Sequence, residues 1–333
     1  MKRIKIYDKT VGEKCFVIAE AGVNHNGDVE LAKKLVDIAA ESGADAVKFQ
    51  TFKTENLVTK TSAQYKMLKK LELDYEEFKE LYNYAKKKNI IFLSTPFDFE
   101  SVNFLNELDI PAFKISSGDL TNIPFLEYVA EKKKPIILST GMATLGEIEE
   151  AINTIKNIGN KDIILLHCIS AYPAKLETLN LRAINVLREA FKLPVGFSDH
   201  SLGIYTPIAA IALGAVIIEK HFTLDKNLPG PDHRASLSPE ELKEMVKAIR
   251  LIEEALGDGI KKPIPEEKET KKASRRSIVA RTNISKGSII TKEKITFKRP
   301  GIGLPPKYYK YIVGKMATRD ITADEAIYWR DVE

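Results

Sequence analysis

Residues 16–22 read FVIAEAG and residues 46–52 read AVKFQTF. Each is a nearly continuous apolar run, as a strand buried on both faces is. Six more runs follow: IIFLSTPF from Ile90, AFKISSG from Ala112, PIILSTG from Pro135, IILLHC from Ile163, PVGFSDH from Pro194 and AVIIEKHF from Ala215. The seven intervals between Phe16 and Ala215 cover 199 residues, about 28 each. Between the runs lie amphipathic segments such as LAKKLVDIAAESGA (31–44), YEEFKELYNYAKKKN (75–89) and LGEIEEAINTIKNIG (145–159), with apolar residues three and four apart. Several end in Gly or Asn, the usual C-terminal punctuation of a helix. Eight strand–helix units of this length predict a (β/α)8 TIM barrel, an α/β fold. A doubly wound open sheet is the alternative; the regular spacing and the lack of a GxGxxG turn after the first run favour the barrel.

Working outward, SPEELKEMVKAIRLIEEALG (238–257) reads as the last barrel helix. Residues 258–276, DGIKKPIPEEKETKKASRR, are charge-dense and without clear periodicity, which reads as a linker. Residues 277–333 alternate short β-like runs with turns and form a small, mainly β domain. The expected division is 1–257, 258–276 and 277–333. A domain of about 57 residues has a marginal core and is expected to lean on another domain or subunit.

Composition narrows the function. The 333 residues are 44% hydrophobic and 29% charged, with a formal net charge of +5. That excludes a disordered or collagen-like chain. A surplus this small, spread over the chain, argues against nucleic-acid binding and suits an anionic small-molecule substrate. The two cysteines, Cys15 and Cys168, lie in apolar runs and read as buried reduced thiols. No segment approaches the roughly 20 apolar residues of a membrane span, and MKRIKIYDK has no apolar leader. A cytoplasmic protein is expected.

In a barrel, chemistry sits at the C-terminal ends of the strands. Those ends carry Glu20, Lys48, Gln50, Thr95, Lys114, Ser117, Asp119, Ser139, Tyr172, Ser198, His200, Glu219, His221 and, just beyond, Asp232. All five histidines fall there, which points to function, with His167 the one expected to be structural. Lys48 and Lys114 stand inside apolar strands. Such lysines are costly unless paired, and at a barrel mouth they suit phosphate or carboxylate, or a Schiff base. The hydroxyls of KISSG, LSTG and GFSD strengthen the anion reading. His200 and His221 end consecutive runs, so two imidazoles can reach one divalent ion, with Mn2+, Co2+ and Zn2+ all suited to such a site.

The motifs IAEAGVNHNGD, DAVKFQTF, STPFD, KISSGD, SDHSLG and EKHFTLDK…GPDHRASLSPEEL closely resemble the sialic acid synthases, meaning N-acetylneuraminate synthase and its relatives for legionaminic and similar nonulosonic acids. Residues 276–304, RSIVARTNISKGSIITKEKITFKRPGIGL, resemble that family's C-terminal SAF domain, related to type III antifreeze proteins. The resemblance covers the whole chain. It implies condensation of phosphoenolpyruvate with an N-acetylated aminohexose, typically N-acetylmannosamine, to a nine-carbon 2-keto acid with release of phosphate. It implies a divalent metal, often Mn2+ with Mg2+ or Co2+ as alternatives, and a domain-swapped homodimer. By the same resemblance His200 and His221 would hold the metal. Lys48, Thr95, Lys114, Ser117, Ser139 and Ser198 would hold phosphoenolpyruvate. Glu20, Gln50, Asp119, Tyr172 and Asp232 would surround the sugar or the reacting centre, with Glu20 or Asp232 as the base. Arg299 would reach the sugar from a partner subunit. Ser170 replaces an Asn of some bacterial members, which leaves the exact sugar open. Two rival readings are a phosphoenolpyruvate–sugar synthase making a seven- or eight-carbon acid, which would lack the SAF domain, and a catalytically dead binding protein.

Overall fold

A computed structural model describes residues 3–333. Eight parallel strands form one sheet: β1 (Phe16–Gly22), β2 (Ala46–Thr51), β3 (Ile91–Pro96), β4 (Phe113–Ile115), β5 (Ile136–Ser139), β6 (Ile163–Cys168), β7 (Val195–Asp199) and β8 (Ile217–His221). The order across the sheet is β3-β2-β1-β8-β7-β6-β5-β4. β8 pairs in parallel with β1, and β3 lies beside β4, which brings the ring nearly closed. This is the expected TIM-type barrel.

Eight helices alternate with the strands: α1 (Val29–Glu41), α2 (Tyr75–Lys87), α3 (Phe99–Glu107), α4 (Ile123–Glu131), α5 (Leu145–Asn157), α6 (Ala183–Phe191), α7 (Tyr205–Ala212) and α8 (Pro239–Leu256). Local chemistry sets their starts. Capping boxes open three of them, Asp74 with Glu77, Thr144 with Glu147 and Ser238 with Glu241, each satisfying two otherwise orphaned backbone donors. The long β2–α2 connection holds two short helices, Thr54–Leu57 and Tyr65–Leu71.

The strands alternate with period two, and this alternation positions the site. Val17, Ala19, Val47, Phe49, Phe113 and Phe197 pack outward with the helices. Phe16, Ile18, Ala46, Leu93, Ala112, Ile137, Ile164, Leu166 and Ile217 form a separate inner cluster. An N-terminal hairpin, Ile4–Ile6 with Lys9–Val11, adds Ile4, Ile6 and Val11 to that inner cluster. The barrel interior is therefore apolar at the N-terminal ends of the strands. The next inward position on each strand is the one that reaches the mouth.

The chain divides into one unit ending at Gly257 and a second spanning Asp258–Glu333. In the second, strands β9 (Ser277–Ala280) and β10 (Ile295–Lys298) pair antiparallel. Further isolated bridges join Ile284 to Ile321, Ile289 to Met316 and Ala317 to Val332. The β-like runs are thus mostly single bridges rather than long strands. The unit nevertheless has its own apolar core, Ile278, Ala280, Ile284, Ile290, Ile295, Leu304, Ile312, Ala317, Ile321 and Ile327. The segment before it is not irregular throughout: Glu267–Ser274 form a helix, α9, with no buried residue. The Glu and Lys residues there are good helix formers, and the apolar stripe that periodicity reading depends on is missing.

Candidate active site

Inward positions at the strand ends are polar in every case but Cys168: Glu20 follows Ile18, Lys48 follows Ala46, Thr95 follows Leu93, Lys114 follows Ala112 and Ser139 follows Ile137. On β7 and β8 the equivalents are Ser198 and Glu219, paired in register. Four charged side chains thereby meet in the mouth, each at most 5% exposed. Lys48 Nζ lies 2.7 Å from Glu20 Oε2 and 3.6 Å from Glu219 Oε2, and donates to Thr95 Oγ1 at 3.0 Å. Lys114 Nζ lies 3.5 Å from Glu219 Oε1, which also accepts from Ser198 Oγ at 2.8 Å. Two lysines and two glutamates form a nearly dry, mutually compensating network.

The electrostatics are uneven. Burial raises the Glu20 carboxyl to about 7, despite Lys48. Burial opposes ionisation of Glu219 too, but Lys114 and Lys48 outweigh it and hold its carboxyl well below the usual range. Lys48, flanked by both carboxylates, is raised in spite of burial. Lys114 has a weaker partner, and burial lowers it. Glu20 Oε2 and Glu219 Oε2 meet Lys48 Nζ as ion pairs, and Ser139 Oγ is buried without a hydrogen-bond partner. Unused polar capacity of this kind at a pocket wall suits a polar ligand.

His200 and His221 stand beside this network, ring centroids 5.7 Å apart. His200 Nδ1 donates to the Ile169 carbonyl at 2.7 Å. A carbonyl only accepts, so Nδ1 carries the proton and Nε2 presents its lone pair. His221 Nδ1 is buried with no partner. Burial lowers both imidazoles, His221 further because His200 and Lys48 are near, so both are neutral and competent as ligands. No group of three or more His, Cys, Asp and Glu gathers as a metal cluster among the described residues. The pair therefore fits a cation that takes its other ligands from water or substrate oxygens.

Tyr172 covers the pair, its ring 4.1 Å from His200 and 6.0 Å from His221. Burial raises its phenol. Asp232 precedes a short helical turn, His233–Ala235, and burial raises its carboxyl to about 6. Asp119 accepts from Ser116 Oγ at 2.6 Å, and burial raises it also. Gln50 is the next inward residue after Lys48 and is partly exposed. Arg299 lies in the second unit, exposed at the end of β10, and the barrel residues gather without it.

Two glycines make room for these groups. Gly22 has φ +55°, and a Cβ there would stand 3.3–3.4 Å from His221 and Glu20. A bulge between Glu20 and Gly22 produces this bend in β1. At Gly141 a Cβ would meet Ser170 Oγ at 2.3 Å, Ser117 Oγ at 2.8 Å and Cys168 Sγ at 3.0 Å. Ser117 Oγ accepts from the Gly141 N–H at 3.0 Å, so this corner is a close-packed hydroxyl cradle.

His167 takes the structural place expected of it, whereas His25 and His233 depart from the functional set. His167 points outward, stacks on Phe197 and donates to the Leu179 carbonyl at 2.7 Å. His25 accepts from the Gly27 N–H, and His233 bridges Thr223 and Asn26. These three hold loops in place. Their partners are the Leu179 carbonyl for His167, the Gly27 N–H for His25, and the Thr223 hydroxyl and Asn26 amide oxygen for His233, none of which a sequence motif marks as a partner. Glu219 reads in the sequence as one polar strand end among several, yet it is the hub of the network. The i, i+2 step to His221 on one strand face was the signal that could have found it. Cys168, expected as inert core, lies 3.1 Å from Ser117 Oγ at the mouth.

Residues 35–261 match the NeuB family and residues 275–333 match the SAF domain. The chain belongs to the NeuB family. It is 53% identical to the N,N'-diacetyllegionaminic acid synthase of Campylobacter jejuni, over 95% of this chain and 99% of that one. It is 48% identical to the enzyme of the same name from Legionella pneumophila, over 96% and 95%. Among solved structures, an N-acetylneuraminic acid synthetase of Leptospira borgpetersenii in complex with citrate superposes with a TM-score of 0.77 at 39% identity, covering 81% of this chain and 95% of that chain. These relatives are synthases of nonulosonic acids, and the NeuB match places this chain with them as a synthase.

Proposed function

We propose that the chain condenses phosphoenolpyruvate with an N-acetylated aminohexose, giving a nine-carbon 2-keto acid and phosphate. The observation that carries this reading is the mouth network of Lys48, Lys114, Glu20 and Glu219, ringed by Thr95, Ser117, Ser139 and Ser198. Two buried ammonium groups beside unused hydroxyls suit a small ligand bearing both a carboxylate and a phosphate. Nine carbons less the three of phosphoenolpyruvate leave a six-carbon acceptor. The names of the 53% and 48% identical relatives specify two N-acetyl groups on their product, which favours a diacetamido hexose over N-acetylmannosamine.

A divalent cation, Mn2+ by preference, held by His200 and His221 would supply Lewis acidity to the acceptor's aldehyde. The chain's own residues do the rest. Lys48 and Lys114 orient phosphoenolpyruvate so that its C3 faces the aldehyde carbon. As the carbon–carbon bond forms, the aldehyde oxygen takes a proton and C2 becomes electron-poor. Glu20, with its carboxyl near neutrality, is placed to exchange a proton at that oxygen or to steady C2. Water adds at C2, with Asp232 or Glu20 accepting its proton. The C2–O bond to phosphate then breaks as the C2 hydroxyl passes its proton to the departing phosphate, leaving the ketone. Tyr172, Gln50 and Asp119 line the acceptor side. A second copy of the chain is the proposed source of Arg299, making the working enzyme a homodimer with exchanged SAF domains, in keeping with a cytoplasmic biosynthetic role.

The test is phosphate release from phosphoenolpyruvate with mono- and diacetamido hexoses, each with and without chelator, against arabinose 5-phosphate and erythrose 4-phosphate. Turnover with a diacetamido hexose is expected. Turnover with only the unacetylated sugar phosphates, or with none of the panel, would overturn the reading.

A further inference from the structure

The outer side of the same two strand ends carries a second charged pair. Asp199 and Lys220 are the last register pair between β7 and β8. Each directly adjoins an imidazole, His200 or His221, and being one residue removed it points to the opposite face of the sheet. Both side chains are fully buried, Lys220 Nζ lying 2.6 Å from Asp199 Oδ2.

The pair does more than join two strands. Asp199 Oδ1 accepts from the Ser201 N–H at 2.9 Å, and Oδ2 accepts from Thr206 Oγ1 at 2.8 Å. Lys220 Nζ also donates to the Ser201 carbonyl, and Ser201 Oγ bonds Thr206 Oγ1 at 2.8 Å. His200 sits between Asp199 and Ser201, beyond the point where the ladder of β7 ends. Its backbone is thus bracketed on both sides by one ion pair, and the anchor of that pair is the residue preceding His221. Replacing a buried ion pair by neutral groups of similar shape is commonly neutral for stability. Stability alone therefore gives little reason for a charged pair at this place.

We propose that Asp199 and Lys220 are positioning residues that fix the separation and aim of His200 and His221 toward a divalent cation. This rests on the two-histidine reading above. Partners behind metal-ligating residues typically change metal affinity by about 10- to 100-fold when removed.

The experiment measures Mn2+ binding directly, by calorimetric titration of the full chain without substrates, alongside thermal unfolding and phosphoenolpyruvate binding. The variant is Asp199→Asn combined with Lys220→Met, which removes both charges and keeps the shapes. Expected is Mn2+ affinity at least about tenfold weaker, with metal-free melting temperature and phosphoenolpyruvate affinity close to wild type. Thr206→Val, milder and partly exposed, should weaken Mn2+ by a smaller factor and serves if the double variant does not fold. Unchanged Mn2+ affinity in either folded variant overturns the inference, as does a loss that merely tracks lower stability and weaker phosphoenolpyruvate binding. If wild type binds no Mn2+, the two-histidine reading falls first and this one with it.

Discussion

At the scale of single residues, the mouth network separates two roles that one substitution would confuse. Lys48→Met removes the proposed ligand contact and also strands Glu20 and Glu219 in a buried site. Breaking a buried pair from one side costs about 3–5 kcal/mol, so the melting temperature should fall. The KM for phosphoenolpyruvate should rise at least about tenfold, since a charge-assisted contact is worth roughly 1.5–3 kcal/mol. Adding Glu20→Gln to Lys48→Met should restore much of the stability and none of the affinity. Recovery of normal KM in the double variant would show that Lys48 does not bind the anion. Asp232 allows a pH test. Its carboxyl is raised to about 6 by burial against an ordinary 3.8. The native state therefore keeps a proton that the unfolded chain has already released, and stability falls as pH rises through that window, with the full cost above pH 6. Asp232→Asn should stabilise the protein by about 1 kcal/mol at pH 8, a value discounted for partial exposure. The gain should vanish near pH 4, and a gain that persists there in calorimetry would refute a desolvated carboxylate.

At the scale of elements, the strands and helices were legible because both periods are written plainly. The runs from Phe16 to Phe222 are apolar on both faces, and α1, α2 and α5 carry apolar residues three and four apart. Lys48, Lys114, His200 and His221 stand out in the sequence because a charge or imidazole is unusual inside such a run, although His167 and Lys220 lie in such runs and serve as structural partners. Glu219 and Cys168 stand out less, since their importance comes from facing across the mouth, a relation between strands far apart in the chain. Helix α9 escaped because it buries nothing and leaves no stripe. The bend of β1 at Gly22 was hidden for another reason: a bulge depends on the register with β2, which no local pattern reports. Gly22→Ala should be costly, combining a left-handed φ of +55° with contacts of 3.3–3.4 Å to His221 and Glu20. An Ala in that region costs roughly 1 kcal/mol or more. The expected result is a lower melting temperature together with weaker Mn2+ binding, because His221 must give way. A folded variant that binds Mn2+ normally would mean that the bend does not set the position of His221.

At the scale of the whole molecule, the second unit has a core cluster of ten buried apolar residues of its own. That changes the argument for its presence from stability to function. A chain ended after Gly257 should retain the barrel and, on the proposed reading, the Mn2+ and phosphoenolpyruvate binding assigned to residues of the first unit. What it would lack is Arg299, an exposed cation just after β10 with no assigned partner in its own unit among the described interactions. The mouth of the barrel carries Glu20, Asp119, Glu219 and Asp232, to which a guanidinium is complementary. If the proposed homodimer exchanges SAF domains, each site uses the barrel of one subunit and the Arg299 of the other. Arg299→Ala should then raise the KM for the sugar and spare phosphoenolpyruvate. The decisive case is a co-expressed mixture of Arg299→Ala chains with His221→Ala chains. In a mixed dimer one site pairs the intact barrel with the intact arginine, while the other is doubly damaged. Recovered turnover, up to half of wild type per mixed dimer, is expected by exchange. If mixed dimers isolated by two affinity tags stay inactive, Arg299 serves its own barrel or none, and the exchanged arrangement is wrong.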